Sequence, residues 1–148
     1  MMLRLSLAAA LSLIGCGDKS QDTDTGGEAP TSEQCLAESQ QTGCEALGCR
    51  WQETLLVPDE TNCATSPGPE RCFTLAGQSV GQASEPHAYY RIDGQKIEYM
   101  IHAYDCAEPL GWHECGDEAE TPAGCACLCG TMVDGEPVRC GASPLCDG

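Results

Sequence analysis

Thirteen cysteines in a chain of 148 residues constrain the fold more than any other feature of this sequence. At that density the thiols point to an oxidising compartment and to a scaffold stapled by disulfides. Thirteen cannot all pair within one chain, so one cysteine is expected to have another role. Cys16 stands apart, ahead of a polar tract. The other twelve, Cys35, Cys44, Cys49, Cys63, Cys72, Cys106, Cys115, Cys125, Cys127, Cys129, Cys140 and Cys146, can close six disulfides.

The segment before Cys16 explains its separation. Met1-Met2-Leu3-Arg4 leads into the apolar run Leu5 to Ile14, then Gly15. Ten residues span roughly 15 Å as a helix, against about 30 Å of bilayer hydrocarbon, so residues 1–15 are expected to be a leader peptide and not an anchor. Leu13-Ile14-Gly15-Cys16 resembles the lipobox of bacterial lipoproteins. The resemblance implies cleavage before Cys16, a diacylglyceryl group on its sulfur and an amide-linked acyl chain such as palmitate, hence a membrane partner. One acyl chain binds a bilayer reversibly, whereas two or three hold the protein there. Gly17, not Asp, follows the cysteine, so an outer-membrane destination is expected, at the periplasmic face or the cell surface. The chain as a whole resembles the small cysteine-rich lipoproteins of Gram-negative bacteria, which implies location and no mechanism.

Residues 16–32 contain no large apolar side chain. Such a stretch cannot offset its ordering entropy and is expected to be a disordered tether. Residues 33–148 are one domain's worth of chain, with few large apolar residues for its length, so disulfides are needed to supplement a thin core. The expected fold is a small disulfide-rich one, mainly β, with a short N-terminal helix and two β-hairpins, at about 87–102 and 128–140. Elsewhere little regular structure is expected, and Thr65 to Glu70 reads as a Pro-rich loop. Thr31 or Ser32 precedes Glu33 to Gln40, a hydroxyl cap before good helix formers, with Gly43 expected to end the helix.

Asp93-Gly94 between alternating runs is a strong hairpin signal, as is Asp134-Gly135. A turn on Asp93-Gly94 pairs Ile92 with Gln95, Tyr90 with Ile97 and Ala88 with Tyr99 on an apolar face. Arg91 with Lys96, Tyr89 with Glu98 and His87 with Met100 then make a mostly charged face. Around Asp134-Gly135 the same counting sets Cys129 opposite Cys140.

Two clusters are candidate metal sites for copper or zinc. In an extended strand Cys125, Cys127 and Cys129 would share one face, a row of soft ligands; alternatively they staple three other segments, those of Cys106, Cys115 and Cys140. On the polar hairpin face His87 and His102 would lie diagonally, with Glu85 opposite His102, provided the strand stays paired past Pro86. Disulfides are favoured over either metal site, and no cofactor is expected.

Removal of the leader leaves six basic residues against 23 acidic ones, a formal net charge of −17. Nucleic acid would be repelled. The acidic side chains of Asp105, Glu108, Glu114, Asp117, Glu118 and Glu120 are expected to form a solvated loop. There is no Gly-x-Ser-x-Gly elbow, His-Glu-x-x-His, phosphate loop or Cys-x-x-Cys pair, and an enzyme is not expected. A lipid-anchored, disulfide-rich interaction or structural module with a protein or glycan partner is the expectation; a small metal-binding lipoprotein is the alternative.

Overall fold

The computed structural model describes residues 29–77, 85–104, 106–116 and 121–141. The leader, Cys16 and most of the tether lie outside these residues, as do Cys146 and the acids Asp105, Asp117, Glu118 and Glu120. The described chain is mostly antiparallel β with a few short helices. In chain order the elements are α1 (Ser32–Ala37), α2 (Gln41–Ala46), β1 (Arg50–Asp59), β2 (Ala64–Phe73), β3 (Leu75–Gly77), β4 (Glu85–Asp93), β5 (Lys96–Tyr104), β6 (Ala107–Pro109), β7 (His113–Glu114), α3 (Ala123–Leu128), β8 (Met132–Val133) and β9 (Glu136–Pro137).

Helix α1 begins on a capping box: the Thr31 hydroxyl accepts from the Gln34 amide, and the Gln34 side chain accepts from the Thr31 amide. Two orphan donors are satisfied at once. Gly43 does not stop this helix. It lies inside α2, which ends five residues later on Gly48, a glycine at φ +78°. The Cys49 amide donates to the Cys44 carbonyl and the Gly48 amide to that of Glu45. These are the two bonds of a Schellman motif, and they fold Cys49 back over Cys44. Six-residue helices are marginal alone; the disulfides Cys35–Cys49 and Cys44–Cys72 fasten both to the sheet.

The main sheet has the order β2-β1-β5-β4-β7. Thr65 to Glu70 are not a loop but the body of β2, paired with β1 from Arg50↔Phe73 to Asp59↔Ala64. Pro67 and Pro69 are accommodated because β2 is an edge strand. Gly68 is required there: a Cβ would strike the Thr54 hydroxyl, which donates to the Pro69 carbonyl. The β1–β2 turn is held by Asp59, whose carboxylate accepts from the Thr61 amide and hydroxyl and the Asn62 amide group. The Thr61 bonds hold the Asp59 carboxyl below its usual range.

The two Asp-Gly hairpins turn differently. Asp134 and Gly135 both have positive φ, 51° and 88°, the type I′ signature. In the first hairpin only Gly94 is positive, and Asp93 pairs with Lys96, so Gly94-Gln95 form the turn in the type II′ pattern. The register differs accordingly: Ile92 faces Ile97, Tyr90 faces Tyr99 and Ala88 faces Ile101. The expected register would have set Arg91 against Lys96. The observed one sets Arg91 against Glu98 and Asp93 against Lys96, opposite charges in both cases. Because the offset is even, each side chain keeps its expected face.

The second face of this hairpin is not a solvated one. Tyr89, Met100, His87 and Glu98 are all buried there, Tyr89 and Met100 packing with Phe73 and Trp112. On the other face Ala88, Tyr90 and Tyr99 pack with Leu128, Val138, Cys115 and Cys125. The sheet is therefore covered on both sides, and its polar side chains must find partners inside. Glu98, nearly inaccessible, accepts from Arg71 Nε at 2.8 Å and from Arg71 Nη2, a bidentate clamp from β2 across β1 to β5. The bond to Glu98 is the main reason the Arg71 guanidinium is held above its usual pKa.

Arg71→Ala removes both hydrogen bonds from the buried Glu98 carboxylate; the expected loss is about 3 kcal/mol, the low end for a broken buried pair, because Arg71 itself keeps some solvent contact and Arg91 lies opposite Glu98. Denaturant unfolding with the disulfides intact measures it. Tyr99 provides a pH test. Burial first, then the charge of Glu60, push its phenol above the ordinary value, while a hydrogen bond from the Gly124 backbone acts oppositely. The neutral phenol is the form the fold favours. Its contribution is complete below about pH 10, the unfolded value, and is lost as pH rises through the folded pKa. An ultraviolet titration should show a late tyrosinate component that is lost in Tyr99→Phe.

Candidate functional site

The three clustered cysteines do not form a row on a strand. Cys125 and Cys127 lie on α3, and Cys129 is its C-cap, its amide donating to the Cys125 carbonyl. Ala123, Ala126 and Leu128 favour this helix, which the spacing of cysteines alone obscured. Cys125 is bonded to Cys115, Cys127 to Cys63 and Cys129 to Cys140. The triplet thus fastens the end of β7, the β1–β2 turn and the segment after β9 to one short helix. Cys63, not Cys106, is the third partner. Bound to three separate segments, with Cys127 on a different helix face from Cys125 and Cys129, these sulfurs do not converge on one ligand position.

The histidines occupy three different environments. Strand pairing continues through Pro86 to Glu85, which faces Tyr104, and His87 lies directly opposite His102. His87 is fully buried, its Nδ1 2.5 Å from Glu114 Oε1. Its Nε2 stands 4.0 Å from Glu85 Oε2, and Arg139 donates to the other Glu85 oxygen at 3.2 Å. Backbone bonds reinforce the cluster: the Ala88 amide donates to the Arg139 carbonyl, and the Arg139 amide to that of Pro86. Glu114 therefore belongs to an interior polar cluster and not to a solvated acidic loop. His102 turns Nδ1 to Gln52 Oε1 at 3.0 Å, and the Gln52 amide group donates to the Ile101 carbonyl. Its ring stands edge-on to Phe73. His113, exposed, stacks on Tyr90 with ring centres 5.2 Å apart. Glu85 and His87 are close, as expected, but His102 is directed to Gln52.

A carboxylate on Nδ1 fixes the orientation of an imidazole, as in catalytic and metal-site histidines. Here the imidazole is sealed from solvent, so what the pair does is join β7 and β4 in the interior. An accessible concavity among the described residues lies at the other surface of the same hairpin end. It is a groove of about 340 Å³ lined by Pro86, Ile101 and Ala103 from the sheet and by Val133, Asp134 and Glu136 from the small hairpin. Its size is at the lower end of the range for small-molecule sites, and its lining, apolar with two carboxylates at a turn, suits binding and orientation.

A second convergence was not visible in the spacing. The sulfurs of Cys35, Cys49 and Cys72 lie within 4.8 Å of one another, buried, with Cys44 bonded to Cys72 and Trp51 packed against the group. Cys44 and Cys49 are near in sequence, but Cys35 and Cys72 arrive from α1 and β2. The chain matches no known protein family, no curated protein and no solved structure.

Replacing Glu114 by Leu should strand the buried His87 imidazole and cost about 1 to 3 kcal/mol, the penalty for an unsatisfied interior polar group. Glu114→Gln, which can still accept at Oε1, should lose less. Unfolding of both variants under oxidising conditions measures the difference.

Proposed function

We propose that this chain is a lipid-anchored extracytoplasmic interaction module, held at the outer membrane by acylated Cys16 and presenting a disulfide-stapled domain to a protein or glycan partner. The observation that carries this reading is the cysteine count. All eleven described cysteines are in disulfides, ten of them in five bonds with one another and Cys106 in a further one. Eleven is odd, so the partner of Cys106 lies outside the described residues and one of Cys16 and Cys146 is left over. Acylation of Cys16 accounts for that remainder.

The groove beside the second hairpin is the candidate contact surface. The Cys129–Cys140 bond closes the base of that hairpin, so one groove wall is presented without the ordering cost a free loop would incur on binding. Strong net negative charge supports a partner other than nucleic acid or an anionic surface. Burial of His87 leaves only His102 and His113 with any exposure as neutral-pH bases, which supports binding over catalysis.

Expression of the whole chain in a bacterium that processes lipoproteins, followed by membrane fractionation and mass analysis of the mature N-terminus, tests this. A mature chain beginning at Cys16 with acyl mass, and a Cys16→Ser variant that remains uncleaved and unacylated, is the expected result. An unmodified Cys16, or cleavage elsewhere with the protein in the soluble fraction, overturns it.

A further inference from the structure

We propose that Cys35, Cys44, Cys49 and Cys72 form a four-thiolate zinc site when their two disulfides are reduced. The inference stands independently of the lipid anchor. It starts from the convergence of two disulfides in one buried cluster: the sulfurs of Cys35, Cys49 and Cys72 are mutually within 4.8 Å, and Cys44 is joined to Cys72. Among the described residues this is the one place where three or more potential ligand side chains approach so closely. A tetrahedral site with Zn–S bonds of about 2.3 Å sets its sulfurs about 3.8 Å apart. The sulfurs of Cys35, Cys49 and Cys72 therefore need to shift by about an ångström or less, and Cys44, bonded to Cys72 but outside that mutual group, must turn toward the other three.

Backbone hydrogen bonds act beside the S–S bonds in bringing these residues together. The capping box sets α1 and with it Cys35. The Schellman bonds fold Cys49 over Cys44. The β1–β2 ladder pairs Cys72 with Trp51, two residues beyond Cys49. All four cysteines are buried, at 0, 0, 6 and 1 % exposure for Cys35, Cys44, Cys49 and Cys72, so water competes poorly for the metal. Four free thiolates would be intolerable in such a place, and a divalent cation halves their charge. Zinc suits the site because thiolate sulfur and tetrahedral geometry are its preferred surroundings in closed structural sites.

The redox balance is simple. Each disulfide takes two electrons and two protons from a dithiol, which leaves as its own disulfide. The four resulting thiols release four protons as one Zn²⁺ enters. Helices α1 and α2 would thus be held to the sheet by covalent bonds under oxidising conditions and by the metal under reducing ones.

The test uses the full chain, reduced by a phosphine without oxygen and titrated with Co²⁺ as the spectroscopic probe and then Zn²⁺. Expected are one Co²⁺ per chain with sulfur-to-metal charge-transfer and tetrahedral d–d absorption, bleached by Zn²⁺. Alkylation followed by mass mapping should show Cys35, Cys44, Cys49 and Cys72 protected by Zn²⁺ and the remaining cysteines labelled. The band should vanish in Cys35→Ser/Cys49→Ser and persist in Cys125→Ser/Cys127→Ser/Cys129→Ser. No tetrahedral band, protection centred on Cys125, Cys127 and Cys129, or a band equally lost in both variants overturns the proposal.

Discussion

Covalent closure between distant segments is the constraint on which the remainder of the structure rests. Among the described residues the elements are short: three helices of six residues and, outside the four long strands, only strands of two or three. None of these would persist alone. The bonds from α3 to Cys63, Cys115 and Cys140 span 64, 10 and 11 residues, so a helix of little intrinsic stability becomes the point where three parts of the chain meet. On the chain-entropy view each closure removes about 3 to 4 kcal/mol of freedom from the unfolded chain. That relieves the core of work its few large apolar side chains could not do.

The consequence appears on the second sheet face. A chain with more large apolar residues could cover that face with them. This one buries Glu98 against Arg71, His87 against Glu114, and has His102 on Gln52, alongside Phe73, Tyr89, Met100 and Trp112. Each pair joins strands that are not immediate sequence neighbours, so the polar contacts tie the strand order together as well as satisfying one another. Losing either partner is costly because the one left behind cannot reach water.

The chemistry-bearing residues are consequently divided by depth. The imidazole with the most elaborate surroundings, His87, is fully enclosed; the groove at the end of the same hairpin has an apolar lining with Asp134 and Glu136. The cysteine triplet that looks most like a ligand set in sequence is bound to three separate segments, while four cysteines scattered over 38 positions of sequence come together under Trp51.

Local signals were legible because they act over a few residues. A hydroxyl at Thr31 or Ser32 marks a helix start, Gly94 and Gly135 occur where turns need positive φ, and alternation assigns Tyr90 and Tyr89 to opposite faces; all of this follows from backbone geometry alone. The mainly β, disulfide-rich class follows from these signals and the cysteine density, and Cys129 opposite Cys140 from counting outward from a type I′ turn. What only the tertiary structure decided is which surfaces are covered and which thiols meet. Pro67 and Pro69 lie in a strand because β2 is at an edge, Cys125 to Leu128 form a helix because three disulfides hold it, and the charged hairpin face is interior because the segment carrying Trp112 packs on it. Burial and disulfide pairing depend on segments far apart in the chain, and no local pattern encodes where those segments go.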